Sequence, residues 1–104
     1  MEKYKVLLLM YDNPTVETIE YRQAVKFRKI ITKMGFLALQ KSVYVKLIYK
    51  RAHTRRLVDQ LIQNAPENGD VKMLVIPLKN YKNLFNIKGK DFDMKLFADD
   101  IITI

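Results

Sequence analysis

Two stretches of helical hydrophobic periodicity, each set between strand-like apolar runs, constrain this chain more than any single residue does. From about Glu17 to Met34, the residues Ala24, Phe27, Ile31 and Met34 recur at steps of three and four and share one side of a helix, with Ile30 beside them. Gly35 supplies the stop. A second helix, from about Thr54 to Ala65, buries Leu57, Val58, Leu61 and Ile62 and ends before Pro66 and Gly69. Tyr4 to Tyr11, Phe36 to Tyr49 and Val71 to Leu78 read as strands, the middle run alternating Val43, Val45 and Leu47 with Tyr44, Lys46 and Ile48. Gln40-Lys41-Ser42 interrupts that run, either as a hairpin connection or as a bend, and neither residue pair is a favoured two-residue turn. Asn80 to Gly89 is a short helical or irregular link, and Met94 to Phe97 with Ile101 to Ile104 form a final β segment.

The order β-α-β-β-α-β with a terminal strand predicts an α+β fold, a ferredoxin-like sandwich with an extra C-terminal strand. Two helices on one face of an antiparallel sheet satisfy both amphipathic patterns. At 104 residues the chain has room for a single domain spanning 1–104. The terminal strand within 91–104 has no obvious place in its own sheet, and an unpaired edge of that kind is relieved by packing on a partner protomer, so a homodimer is expected.

Composition removes whole classes of function. There is no cysteine, which excludes disulfide scaffolds, thiolate zinc sites and cysteine nucleophiles together. The three glycines are isolated, so no glycine-rich phosphate loop exists, and the one histidine, His53, allows neither a His-rich metal site nor a serine triad. The apolar run Val6 to Tyr11 is too short for a membrane span and leads into Asp12-Asn13-Pro14, so a cytoplasmic protein without membrane association is expected.

The charge is strongly one-sided. Nineteen Lys and Arg face 11 Asp and Glu, a formal net charge of +8, and the stretch from Arg22 to Arg56 holds 11 basic residues and no acid. Such a field draws polyanions and gains affinity by releasing their counterions. On the first helix, Arg22, Lys26, Lys29 and Lys33 recur at steps of four, three and four and stack into a stripe about 16 Å long. An exposed helix face often carries such residues for solubility alone. Lys50 and Arg51 precede the second helix and Arg55 and Arg56 occupy its first turn, where positive charge opposes the macrodipole and an anionic partner accounts for it better than stability does.

Asp12 is the one carboxylate placed as an active-site residue would be, at the C-terminal mouth of the first strand. Aspartate also begins turns, and Asn13-Pro14 gives it that second reason to be here. One carboxylate is too little to hold Mg²⁺, but two brought together across a dimer axis could hold one ion and activate a water for phosphodiester hydrolysis.

Several segments together carry a family resemblance: Val6-Leu7-Leu8-Leu9-Met10-Tyr11-Asp12-Asn13-Pro14-Thr15, then Phe27-Arg28-Lys29, Gly35-Phe36 and Gln40-Lys41-Ser42-Val43-Tyr44. In them the chain resembles the small CRISPR-associated adaptation proteins of the Cas2 family, particularly the branch that accompanies single-effector nucleases. The resemblance implies a ferredoxin-like homodimer whose C-terminal strand packs on the partner's sheet. It also implies a role in spacer acquisition, in which the dimer holds double-stranded DNA between copies of a larger CRISPR integrase subunit. Family members are described as metal-dependent endonucleases on RNA or DNA with the strand-end aspartate as ligand, which maps onto Asp12. Many carry an arginine shortly before the glutamine of the strand motif, where this chain has Ala38-Leu39. That departure favours the DNA-binding scaffold over the enzyme, with a ligand-binding regulatory module on the same fold as a third reading.

Overall fold

The computed structural model of the chain describes residues 4–12, 18–49 and 52–90. Strand β1 (Tyr4–Asp12) leads to helix α1 (Thr18–Lys33), the hairpin β2 (Leu37–Gln40) and β3 (Val43–Tyr49), helix α2 (Ala52–Asn64), strand β4 (Asp70–Pro77) and a short helix α3 (Leu78–Tyr81). The sheet has the order β2-β3-β1-β4 and is antiparallel throughout. This is the expected α+β, ferredoxin-like arrangement. The anticipated terminal strand over 91–104, and its packing on a partner, lie outside the described residues.

The periods of the sequence explain the packing. Alternation on β1 sends Leu7, Leu9 and Tyr11 toward the helices, where they meet Phe27 and Ile31 of α1, Phe36, Tyr44, Ile48 and Leu61 of α2 in one buried cluster. Val6 points the other way and joins Val45, Leu47, Leu78 and Tyr81 beneath α3. The sheet is therefore apolar on both faces. On the face away from the long helices, Leu8, Met10, Leu39, Val43, Ile76 and Leu84 line a groove of about 400 Å³.

The end of α1 shows why Gly35 stops it. The Phe36 N–H donates to the Ile31 carbonyl and the Gly35 N–H to that of Thr32, both at 3.0 Å, with Gly35 at φ +97°. This is a Schellman closure, and its C″ and C3 side chains, Phe36 and Ile31, meet in the core.

Three expectations are corrected or resolved. Ile62 is 70% exposed and not buried. Leu57, Leu61 and Ala65, at steps of four, take the sheet-facing side, and Ile62 stands about 100° round the helix from Leu61. Leu78 opens α3 instead of ending β4, because Pro77 closes the strand. Gln40-Lys41-Ser42 is a hairpin connection, with Gln40 opposite Val43, a register irregularity between Ala38 and Gln40, and Ser42 at φ +65°.

Candidate nucleic-acid interface

Helix α1 presents two surfaces. Arg22, Lys26, Lys29 and Lys33 are all exposed on the side away from Ala24, Phe27 and Ile31, as the spacing requires, and none has an ion-pair partner among the described residues. On α2, Arg56 is exposed, whereas the Arg55 Nε lies 3.5 Å from Asp59 Oδ1 across one turn, so part of that cation is locally balanced. Lys50 and Arg51 lie outside the described residues.

Asp12 is the last residue of β1 and is exposed. In the β1–β4 ladder it stands directly opposite Asp70. Opposed residues of an antiparallel pair project to the same face, so two carboxylates share this end of the sheet. Asp70 accepts from the Lys72 ammonium, while Asp12 has no salt-bridge partner among the described residues. No group of three or more His, Cys, Asp or Glu side chains lies together among the described residues. One uncommitted carboxylate beside one already neutralised is not a Mg²⁺ site, and within one protomer the donor set does not fit a resident divalent ion.

A concavity of about 570 Å³ opens beside Asp12, lined by Tyr11, Asp12, Tyr21, Ala24, Arg28, Lys41, Ser42 and Tyr44. Three elements build it. Tyr21, Ala24 and Arg28 come from one flank of α1, Tyr11 and Asp12 from the end of β1, and Lys41 and Ser42 from the hairpin connection, which the Tyr11 N–H ties to β1 by donating to the Ser42 carbonyl at 2.9 Å. Tyr11 is held from behind by Phe27, whose ring meets it edge-on at 4.9 Å and 72°. Its hydroxyl is buried with no hydrogen-bond partner among the described residues. Burial pushes the Tyr11 phenol above its ordinary pKa; the nearby Arg28 pulls it down, and Tyr44 and Asp12 add to the rise.

Among the predicted site residues, the structure groups the four α1 cations on one face and sets Asp12 on another. Arg28, which belongs to the Asp12 surface, was not singled out by its charge because it is one of 11 basic residues in an acid-free stretch. Its spacing from Tyr21 and Ala24, at steps of three and four, was the available signal.

The model of the family described as CRISPR associated protein Cas2 matches residues 5–84. A protein named CRISPR-associated endoribonuclease Cas2 from Streptococcus mutans serotype c (strain NN2025) is 33% identical over 85 residues, 81% of this chain and 78% of that one. Proteins of the same name from Campylobacter jejuni and Treponema denticola are 30% and 28% identical, over 85% and 94% of this chain and 62% and 97% of theirs. No helix among the described residues is long and apolar enough to cross a membrane. The family match begins one residue inside β1 and ends just beyond α3, so it takes in all of the antiparallel sheet but Tyr4, both long helices and Asp12, and the chain belongs to the Cas2 family of CRISPR-associated proteins.

Proposed function

We propose that this chain is the small subunit of CRISPR spacer acquisition, a cytoplasmic homodimer that holds double-stranded DNA within a complex with the larger integrase subunit. The observation that carries the reading is the stripe of Arg22, Lys26, Lys29 and Lys33, exposed on α1 of a Cas2-family chain and without an ion-pair partner among the described residues. A duplex backbone lying along it would contact about four phosphates over about 16 Å. The dimer is supported by the apolar groove around Leu8, Met10 and Ile76, a sheet face that calls for a cover, and by the β-like runs Met94 to Phe97 and Ile101 to Ile104. The whole of 1–104 is read as one domain, its last strand packing on the partner protomer.

A second reading is favoured by the name the relatives carry and by the exposed carboxylate at the sheet end: a Mg²⁺-dependent endonuclease on RNA or DNA, with Asp12 from two protomers sharing the ion. One experiment separates the readings. Binding of a short duplex is measured across a salt titration, with and without Mg²⁺, for the intact chain, for Asp12→Ala, and for a variant with Arg22, Lys26, Lys29 and Lys33 all changed to Gln. The scaffold predicts uncut duplex bound equally by the first two. In the third, the salt slope should fall by roughly 0.9 for every phosphate that is no longer neutralised. Mg²⁺-dependent cleavage that disappears in Asp12→Ala moves the enzyme reading to first place, and absence of binding at moderate salt removes the nucleic-acid function altogether.

A further inference from the structure

The connection between α2 and β4 is a tight turn with Glu67 and Asn68 exposed in it. The Gly69 N–H donates to the Pro66 carbonyl at 3.2 Å and closes the turn Pro66-Glu67-Asn68-Gly69. Gly69 also lies beside Cε1 of Tyr11, and the next residue, Asp70, opens β4 opposite Asp12. This turn therefore sets where β4 begins its pairing with β1.

Asn68 differs from the other asparagines in its neighbour and in its amide. Of the six in the chain, it alone precedes a glycine. Asn13 precedes Pro14, which has no N–H, and the remaining four precede Ala65, Tyr81, Leu84 and Ile87. The Asn64 Nδ2 donates to the Gln60 carbonyl at 2.8 Å and the Asn86 Nδ2 to the Gly89 carbonyl at 3.1 Å. The Asn68 side chain is exposed and makes no hydrogen bond among the described residues. Gly69 brings no Cβ to hinder an approach to its nitrogen, and the bond from its N–H to Pro66 is at the long end of the ordinary range.

We propose that Asn68 is a site of spontaneous modification, at which the side-chain amide is lost to water and the linkage to Gly69 becomes a mixture of aspartyl and isoaspartyl forms. The Gly69 nitrogen attacks Asn68 Cγ. The N–Cγ bond forms, the Cγ–Nδ2 bond breaks, and the proton given up by the Gly69 amide departs with Nδ2 as ammonia. Water then opens the cyclic imide. Addition at Cγ restores the original backbone with an aspartate side chain, whereas addition at the main-chain carbonyl carbon of residue 68 leaves the backbone running through Cγ. Nothing is oxidised or reduced, and water is the co-reactant. The site is independent of the nucleic-acid reading above.

Its consequences follow from its place. Either product sets a new carboxylate between Glu67 and Asp70, at the end of the sheet that bears Asp12. The isoaspartyl product also lengthens the turn by one backbone carbon just before Gly69. Tyr11 Cε1 blocks Gly69 on one side, so the added length is taken up by Asp70 and its pairing with Asp12.

The test incubates the full folded chain in buffer at neutral and at mildly alkaline pH, with samples taken over days. Cleavage after Arg56 and Lys72 releases a peptide, Leu57 to Lys72, that holds Asn64 and Asn68 together. Electron-transfer fragmentation of that peptide reads each amide separately and tells aspartyl from isoaspartyl linkage. The expected result is a progressive loss of the Asn68 amide, faster at the higher pH, while Asn64 in the same peptide stays intact. Ion exchange should resolve the incubated protein into species with one more negative charge. Asn68→Gln, whose longer side chain closes the ring poorly, should abolish both signals, and its urea midpoint checks that the turn still folds. Amide resonances of Asp12 and Asp70 in the isoaspartyl fraction should differ from those of Asn68→Asp, which carries the same charge on an unaltered backbone. A folded chain that keeps the Asn68 amide as long as the Asn64 amide overturns the site. Loss of the Asn68 amide in urea alone overturns it equally, because the fold then protects the turn. An isoaspartyl fraction whose Asp12 and Asp70 resonances match those of Asn68→Asp overturns the effect on strand pairing.

Discussion

Gly69 lies beside Cε1 at the edge of the Tyr11 ring, and changing it to alanine sets two effects of opposite sign against each other. A Cβ built there would stand 3.0 Å from Tyr11 Cε1, 3.4 Å from Pro66 Cβ and 3.5 Å from Pro66 Cγ. Gly69 is outside the left-handed region, so alanine meets no backbone penalty and should gain about 0.4–1 kcal/mol by reducing the freedom of the unfolded chain. The opposing effect is overpacking, typically about 1–3 kcal/mol, and its size depends on whether the ring can yield. Tyr11 is 6% exposed and its ring meets that of Phe27, itself 1% exposed, edge-on, so the few tenths of an ångström required have to come from a buried aromatic pair. Overpacking should win, with a net destabilisation of about 1 kcal/mol. The assay is a double-mutant cycle in urea with Tyr11→Leu, which removes Cε1. Gly69→Ala should destabilise the intact chain and become neutral or stabilising in the Tyr11→Leu background, with a coupling of about 0.5–3 kcal/mol. A Gly69→Ala variant as stable as the parent or more so in both backgrounds would refute the claim that the Tyr11 ring is locked.

Gly35→Ala should cost about 1–2 kcal/mol, read as a lower urea midpoint, because φ +97° is a conformation L side chains resist. The Lys46 Nζ that the new Cβ would meet at 2.6 Å can swing away, so Gly35→Asn, which tolerates left-handed backbone better, should recover part of the stability. At alkaline pH, burial raises the Tyr81 phenol pKa. The unfolded chain loses this proton near pH 10 and the folded chain only above it, so the neutral-phenol contribution is intact below pH 10 and disappears as pH rises through the folded value. Tyr81→Phe should therefore show a shallower fall in stability above about pH 10, and an unchanged alkaline limb would contradict the burial argument.

The Cas2-family placement and the physical reading meet at a specific point. The matched stretch, residues 5–84, holds the basic stripe, Asp12 and every residue lining the concavity beside it. The charge stripe on α1 and the Asp12 surface are separate faces of the same molecule. Substitutions on one face need not disturb the other.

What was legible in the sequence was whatever repeats along the chain. The steps of three and four through Ala24, Phe27 and Ile31 determined which side of α1 is buried, and therefore that Arg22, Lys26, Lys29 and Lys33 face solvent. Alternation through β1 and β3 predicted strands, and Gly35 marked the end of the helix because only a residue without Cβ closes it cheaply. The failures were equally physical. Ile62 fits an apolar pattern, yet a helix side wider than the sheet can cover leaves its margin exposed. No turn residue announced Ser42, whose left-handed conformation is imposed by β3 pairing with β1 and by the hydrogen bond from Tyr11. The opposition of Asp12 to Asp70, and the meeting of Tyr11, Arg28 and Lys41 around one concavity, were decided by the tertiary structure alone. Periodicity is a local property that a few neighbouring residues express, whereas register and cavity shape depend on how distant segments close on one another, and that closure is set by the packing of the whole sheet against its helices.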